Sequence, residues 1–311
     1  MLRLLRERPA ATPEAQEAHL AKEYAVDVLQ SMLRREQKVM PPHDYMQQQP
    51  ELDAAMRKVL NEWLVKVHRQ CGLQHETLFL TVSIVDRYLA RVKVTLERLQ
   101  LVGVAALLAS SKFEEVRAPA VRDLVYITDG AYSREEILEM EASILSALEF
   151  AVAGPTCAHF LQHFLTASKI LARLGFDPMS PQLAYSAACP PPELGADCPS
   201  MGCEREEIAW SAAEAALLDM RLLRHEPSRV AAAALYLSNG LCGEMLLWPE
   251  TLARLSGYEE EQLQACAAEL HELLRAGGVM WTRPRRGARG GAPAKPEPQP
   301  AKLGPAASGG A

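Results

Sequence analysis

Apolar positions recur along this chain at the spacing of helices, and one stretch is apolar on every side. That stretch is LQLVGVAALLASSKFEE, Leu99 to Glu115, with small residues at Gly103, Ala105, Ala106, Ala109, Ser110 and Ser111. A helix apolar all round sits at the centre of a bundle, and one poor in side-chain bulk lets its neighbours come close. Its end is abruptly charged: Lys112, Glu114 and Glu115 flank Phe113. Charged groups at the tip of a buried helix must find partners or reach solvent.

The surrounding pattern predicts further helices. Tyr24, Val28 and Met32 share one side of a helix over 23–36, which Pro41 and Pro42 end. Met56, Val59, Leu60, Trp63, Leu64 and Val67 make a stripe at spacings of three and four, from a start near Pro50 to a stop at Gly72. Helices follow over 78–89 and 95–115, then from Pro119 to the turn at Asp129–Gly130. Ser133 with Glu136 forms a capping box for a helix running to Leu148. Five helices with short links make one compact all-helical unit. A second series follows over 156–174, 208–223, 227–239, 249–255 and 259–275. The repeat lies in helix count and length, not in sequence identity. The Pro/Gly/Ser-rich insert at about 175–205 reads as an extended loop, and residues 1–20 and 281–311 as tails without fixed structure.

Composition narrows the function classes. The net charge is −6, and from Trp281 onward six basic residues face a single acid, so the remainder is more acidic still. An acidic folded part gives no general attraction to nucleic acid. No run of about 18 apolar residues suggests a membrane span. The opening MLRLLRERP lacks the apolar core of a secretory signal. Seven cysteines without regular spacing suit a reducing compartment. Cys189, Cys198 and Cys203 cluster, but without the paired histidines of a zinc site. No phosphate-binding GxxxxGK, HExxH or GxSxG is present, so enzyme chemistry is not expected.

Several segments in order resemble the cyclins of the A/B type. These are YMQQQP, MRKVLNEWLVKVH at 56–68, LQHETLFLTVSIVDRYL at 73–89, LQLVGVAALLASSKFEE, and VYITDGAYSREEILEMEASILSALEF. The likeness spans about 22–165 and returns more weakly at WPETLARLSGYEEEQL. It implies two tandem five-helix cyclin folds, 21–153 and 154–280, behind a short N-terminal helix. It also implies a regulatory subunit that binds and activates a cyclin-dependent kinase in the nucleus and cytoplasm, with no catalytic residues and no cofactor.

The resemblance assigns roles to particular residues. Lys112 and Glu141 match a pair that meets the kinase backbone beside its αC helix; a lysine offers only donors and a glutamate only acceptors. Phe113, Leu145 and Phe150 would add apolar contacts, Glu115 the rim, and Val28 and Met32 a face of the first helix. The alternative for Lys112–Glu141 is a salt bridge within the bundle. Arg57 and Asp86 match a structural ion pair. Met56, Val59, Leu60, Trp63, Leu99 and Gln100 match a groove for Arg-x-Leu peptides of substrates and inhibitors; the alternative is a stripe that only serves the core. Lys66 stands where A/B cyclins carry a glutamate, which sets the groove against a basic peptide. Two rival functions remain: a cyclin-fold scaffold in transcription machinery, and a cyclin that folds but activates no kinase.

Overall fold

The computed structural model describes residues 13–173, 201–244 and 246–276. Among them there are helices and turns but no strand. The first unit comprises α1 (Pro13–Val39), α2 (Ala54–Cys71), α3 (His75–Leu89), α4 (Leu96–Glu114), α5 (Val121–Ile127) and α6 (Arg134–Ala147). The second comprises α7 (Cys157–Arg173), α8 (Met201–Leu218), α9 (Pro227–Leu241), α10 (Glu250–Ser256) and α11 (Glu260–Ala276). Short 3-10 turns lie at Tyr45–Gln48 and Met220–Arg224.

Helix α4 is the axis of the first unit and packs on α2, α3 and α6. From Leu101 to Ser111 every residue is buried. Its small residues have a measurable purpose at Gly103, where a Cβ would lie 2.8 Å from Leu60 Cδ1 of α2. Of the two buried hydroxyls on this polar-poor helix, Ser111 Oγ has no hydrogen-bond partner among the described residues, while Ser110 is paired with α3. Ser110 Oγ lies 2.5 Å from Thr81 Oγ1, and Thr81 donates onward to the Thr77 carbonyl at 2.7 Å. Helix α9 plays the same part in the second unit: Ala231 to Leu235 are fully buried among α7, α8 and α11. Gly103→Val is expected to lower stability by about 1–3 kcal/mol through overpacking against Leu60. Thermal melting checks this; an unchanged midpoint would mean that Leu60 has room to move.

Several boundaries differ from expectation. Helix α1 begins at Pro13, so residues 13–20 are helical rather than tail; proline suits a first turn, where its missing N–H is not needed. Helix α2 begins after Pro50, because Asp53 accepts the Met56 N–H at 2.8 Å as N-cap. Helix α8 begins at Met201, taking 201–205 out of the expected loop, since nothing from Cys203 onward breaks a helix. It stops at Leu218, where the Asp219 carboxylate accepts the Arg221 N–H at 2.8 Å and starts the 3-10 turn. Ser133 and Glu136 form the expected reciprocal cap, at 3.2 Å and 2.8 Å. The expectations for 1–12, 175–200 and 281–311 lie outside the described residues, as does the cysteine cluster at 189 and 198.

The two units are joined by side chains from distant parts of the chain. Glu36 of α1, buried, accepts the Ser228 N–H at 2.9 Å and its hydroxyl at 2.7 Å, capping the start of α9. Burial raises the Glu36 pKa, and the Ser228 hydrogen bonds only partly offset it. Arg69 meets Glu214 at 2.6 Å, and the His75 ring stacks on Trp210 at 4.2 Å. Gly154 lets the linker pass Val39, whose Cγ2 would be 3.1 Å from a Cβ there.

Candidate functional site

Lys112 lies in the last turn of α4, where a cation complements the helix dipole. Glu141 lies within α6, which packs along α4, so two residues far apart in sequence come together. The Lys112 ammonium sits 2.8 Å from Glu141 Oε1 and 2.7 Å from Oε2. The pair is lopsided: the lysine side chain is 50% exposed and the glutamate 9%. One ammonium proton and part of the carboxylate's acceptor capacity are left for a further partner.

The surround is apolar and open. Phe113 is 54% exposed and Phe150 72% exposed, while Leu145, one turn beyond Glu141, is half-buried. The chain holds Phe150 out at some cost. Glu149 and Phe150 have φ of 52° and 57°, the left-handed region that disfavours residues with a Cβ by about 1–2 kcal/mol each. The Phe150 N–H donates to the Leu145 carbonyl at 2.8 Å, which fixes this turn at the end of α6. The turn thus leaves the Phe150 ring in water despite the backbone strain.

Other expected residues are placed differently. Glu115 is not free at the rim: its carboxylate accepts the Gln74 N–H at 2.7 Å and the Thr77 hydroxyl at 2.6 Å, capping the start of α3. Val28 is exposed and Met32 half-buried on α1, whose main packing partners are α7 and α9 rather than α4. Neighbouring Glu114 has its pKa raised, first by burial and then by the charges of Glu76 and Glu115.

Arg57 and Asp86 form a two-point pair, Nε to Oδ1 and Nη2 to Oδ2, each 2.7 Å. Arg57 is 1% exposed. Burial alone pulls its pKa down, but the Asp86 charge outweighs that and leaves it above the ordinary arginine value. Tyr45 adds a third bond, its hydroxyl 2.7 Å from Asp86 Oδ1. Sequence reasoning missed the other half of this centre. Arg57 Nη1 also donates to the Leu217 carbonyl of α8 at 2.9 Å, and Asn61 donates to the same oxygen at 2.7 Å. The pair therefore ties α2 to α3 and to the second unit. No local signal could reveal this, because Leu217 contributes only a backbone carbonyl.

The groove residues divide by burial. Leu60 and Leu99 are core; Met56, Trp63 and Gln100 are half-buried, and Val59 is exposed. Leu60 and Leu99 can only be a floor, with the others on the surface above. Lys66, exposed one turn beyond Trp63, also lines a cleft between α2, α8 and α11.

Comparison with known proteins bears on this arrangement. The family model "Cyclin, N-terminal domain" matches residues 27–153, and "Cyclin, C-terminal domain" matches 155–280. The chain belongs to the cyclin family. Its relatives place it with the A/B type. A G2/mitotic-specific cyclin-2 of Antirrhinum majus is 38% identical over 226 residues, 73% of this chain and 45% of the relative. A G2/mitotic-specific cyclin-B of Hydra viridissima is 36% identical over 254 residues, 82% of this chain and 56% of the relative. This cyclin thus spans about half the length of these two relatives. A viral cyclin from herpesvirus saimiri has the same fold, with a TM-score of 0.63 at 21% identity, covering 82% of this chain and all of that one. Among the described residues of this cyclin no helix is long and apolar enough to cross a membrane. Nor do they hold a group of three or more His, Cys, Asp or Glu placed for a metal ion.

Proposed function

We propose that this cyclin is the regulatory subunit of a cyclin-dependent kinase, binding it as a heterodimer and activating it, and is not itself an enzyme. The observation that carries the reading is the open, half-paired Lys112–Glu141 couple beside the exposed rings of Phe113 and Phe150. Lys112 and Glu141 would hydrogen-bond backbone groups beside the kinase αC helix. Held inward, αC completes the kinase's own lysine–glutamate pair and aligns ATP. Leu145 extends the apolar contact, and Val28 and Met32 supply a second patch on α1. The unit 21–153 carries this surface; 154–280, braced through Arg57 and Glu36, holds its orientation. A nuclear and cytoplasmic protein fits the reading.

The test is capture of the tagged full chain from dividing cells, identification of any co-purifying kinase, and assay of that kinase with and without the cyclin. A bound kinase with raised activity is expected. Capture without a kinase overturns the reading, and a bound but silent kinase overturns the activating half. Binding to DNA or RNA that weakens steeply with salt would point to the transcription scaffold instead.

The groove above Leu60 and Leu99 carries a second expectation. Its apolar surface suits a leucine, but Lys66 faces an arginine-bearing peptide with the wrong sign. Exchange of attraction for repulsion at an exposed site amounts to about 1–2 kcal/mol, or roughly five- to thirtyfold in affinity. Arg-x-Leu peptides should therefore bind poorly, and Lys66→Glu should strengthen them, more so at low salt. Peptide titration at two ionic strengths measures both; tight wild-type binding would mean that Lys66 points away, toward the α2–α8 cleft.

A further inference from the structure

The turn that carries Phe150 is edged by arginines without counter-charges. The Arg35 guanidinium of α1 donates to the Ala153 carbonyl at 3.2 Å. Arg87 of α3 donates to the Ala151 and Val152 carbonyls. Arg91, just past the end of α3, donates to the Ala147 carbonyl at 2.6 Å. Guanidiniums from two distant parts of the chain thus converge on residues 147–153, which hold Phe150.

These bonds go to backbone alone. Among the described residues none of the three arginines makes an ion pair with a carboxylate. The carboxylates nearest in sequence are otherwise placed. Buried Glu36 is bound to Ser228, and Glu149 is exposed with no ion pair among the described residues. Arg87 is 6% exposed. Burial lowers its pKa, and the like charge of Arg91 lowers it further. Arginine does not give up its proton in proteins, so the repulsion persists and an anion from outside relieves it.

Arg35 and Arg91 are exposed. An arginine has five N–H donors, and each uses one here. The donors left over form a planar fork suited to a carboxylate. Their position gives them an address. Val28, Met32 and Arg35 follow at spacings of four and three, so they share one face of α1. Arg35 therefore stands between the α1 patch and the Phe150 turn, and Arg91 stands at the start of that turn.

We propose that Arg35 and Arg91 form a basic rim around the Phe150 patch that pairs with carboxylates on the facing surface of the kinase, steering the encounter and selecting among kinases by charge. The rim rests on the kinase-binding reading and adds to it a partner surface of stated sign. Arg87, buried, braces the turn through its two carbonyl bonds.

The test uses the full-length chain and the kinase recovered with it from dividing cells. Association and dissociation rates are measured at low and high salt for wild type, Arg35→Glu/Arg91→Glu and Arg122→Glu/Arg134→Glu. The last pair changes the net charge equally but lies on α5 and at the start of α6. Arg134 is about 20 Å along α6 from Ala147. Reversal of the rim should slow association about tenfold at low salt and far less at high salt, with little change in dissociation, because a rim charge acts on the encounter. The α5/α6 pair should associate like wild type. Arg35→Gln/Arg91→Gln keeps an N–H donor for the carbonyls while removing the charge, and should slow association several-fold even if the reversed pair fails to fold. Equal effects of the two reversed pairs overturn the rim, since net charge then explains both. So does association that ignores Arg35 and Arg91, or that quickens on their reversal, which would put a basic surface opposite. In each of those cases a kinase is still bound, and the reading of Lys112 and Glu141 stands. Capture of no kinase ends both.

Discussion

Asp86→Ala is expected to cost the fold about 3–5 kcal/mol, because it strips a buried guanidinium of its counter-charge. Arg57 has no route to relief. It is 1% exposed, and arginine does not give up its proton in proteins. The Tyr45 hydroxyl loses its acceptor at the same time. Against a total stability of about 5–15 kcal/mol, this loss brings the chain near unfolding at ordinary temperature. Arg57→Met combined with Asp86→Leu should recover much of it, since an apolar pair of similar volume often matches a buried ion pair. The Leu217 carbonyl would still be served by Asn61. Urea denaturation of the three variants measures the effect. A single mutant within about 1 kcal/mol of wild type would place water, not a desolvated charge, around Arg57.

The central elements were legible because their cause is local. Leu99 to Ser111 is apolar on all faces, and burial follows from that composition alone. The same holds for the Ser133–Glu136 cap, whose two partners are three residues apart. Lys112 and Glu141 could be paired only through the family's pattern, since 29 residues separate them. Glu36 and Ser228, 192 residues apart, carry no signal at either end. Helix starts were missed where composition is permissive. Pro13 opens a helix in a polar, Ala/Pro-rich stretch that looks like tail, and Met201 opens one beside a Pro/Gly/Ser-rich stretch that looks like loop. The structural duty of Glu115 was hidden for a related reason. A glutamate beside a kinase-facing lysine looks available, yet α3 begins close by with N–H groups that need an acceptor.

Kinase binding is expected to fall by about thirtyfold or more in Lys112→Ala and in Glu141→Ala, in line with the roughly 2–5 kcal/mol that truncating a hydrogen-bonded charge costs at an interface. The fold should tolerate the loss of Lys112 more easily than that of an internal charge. Its side chain is half in water, and such pairs contribute about 0–1 kcal/mol to stability. Removing the lysine does leave Glu141, at 9% exposure, without its partner. The double variant Lys112→Ala/Glu141→Ala removes both charges and so separates the two roles. If the pair serves docking, the double variant melts close to wild type by circular dichroism and still fails to retain the kinase. If the pair serves only the bundle, the double variant regains kinase binding along with stability. Retention of the kinase by all three variants would move the docking surface elsewhere, to the exposed rings of Phe113 and Phe150 without the charges between them. The same pull-down with Phe150→Ala distinguishes that case, because its strained turn has no packing duty that would explain holding a phenyl ring in water.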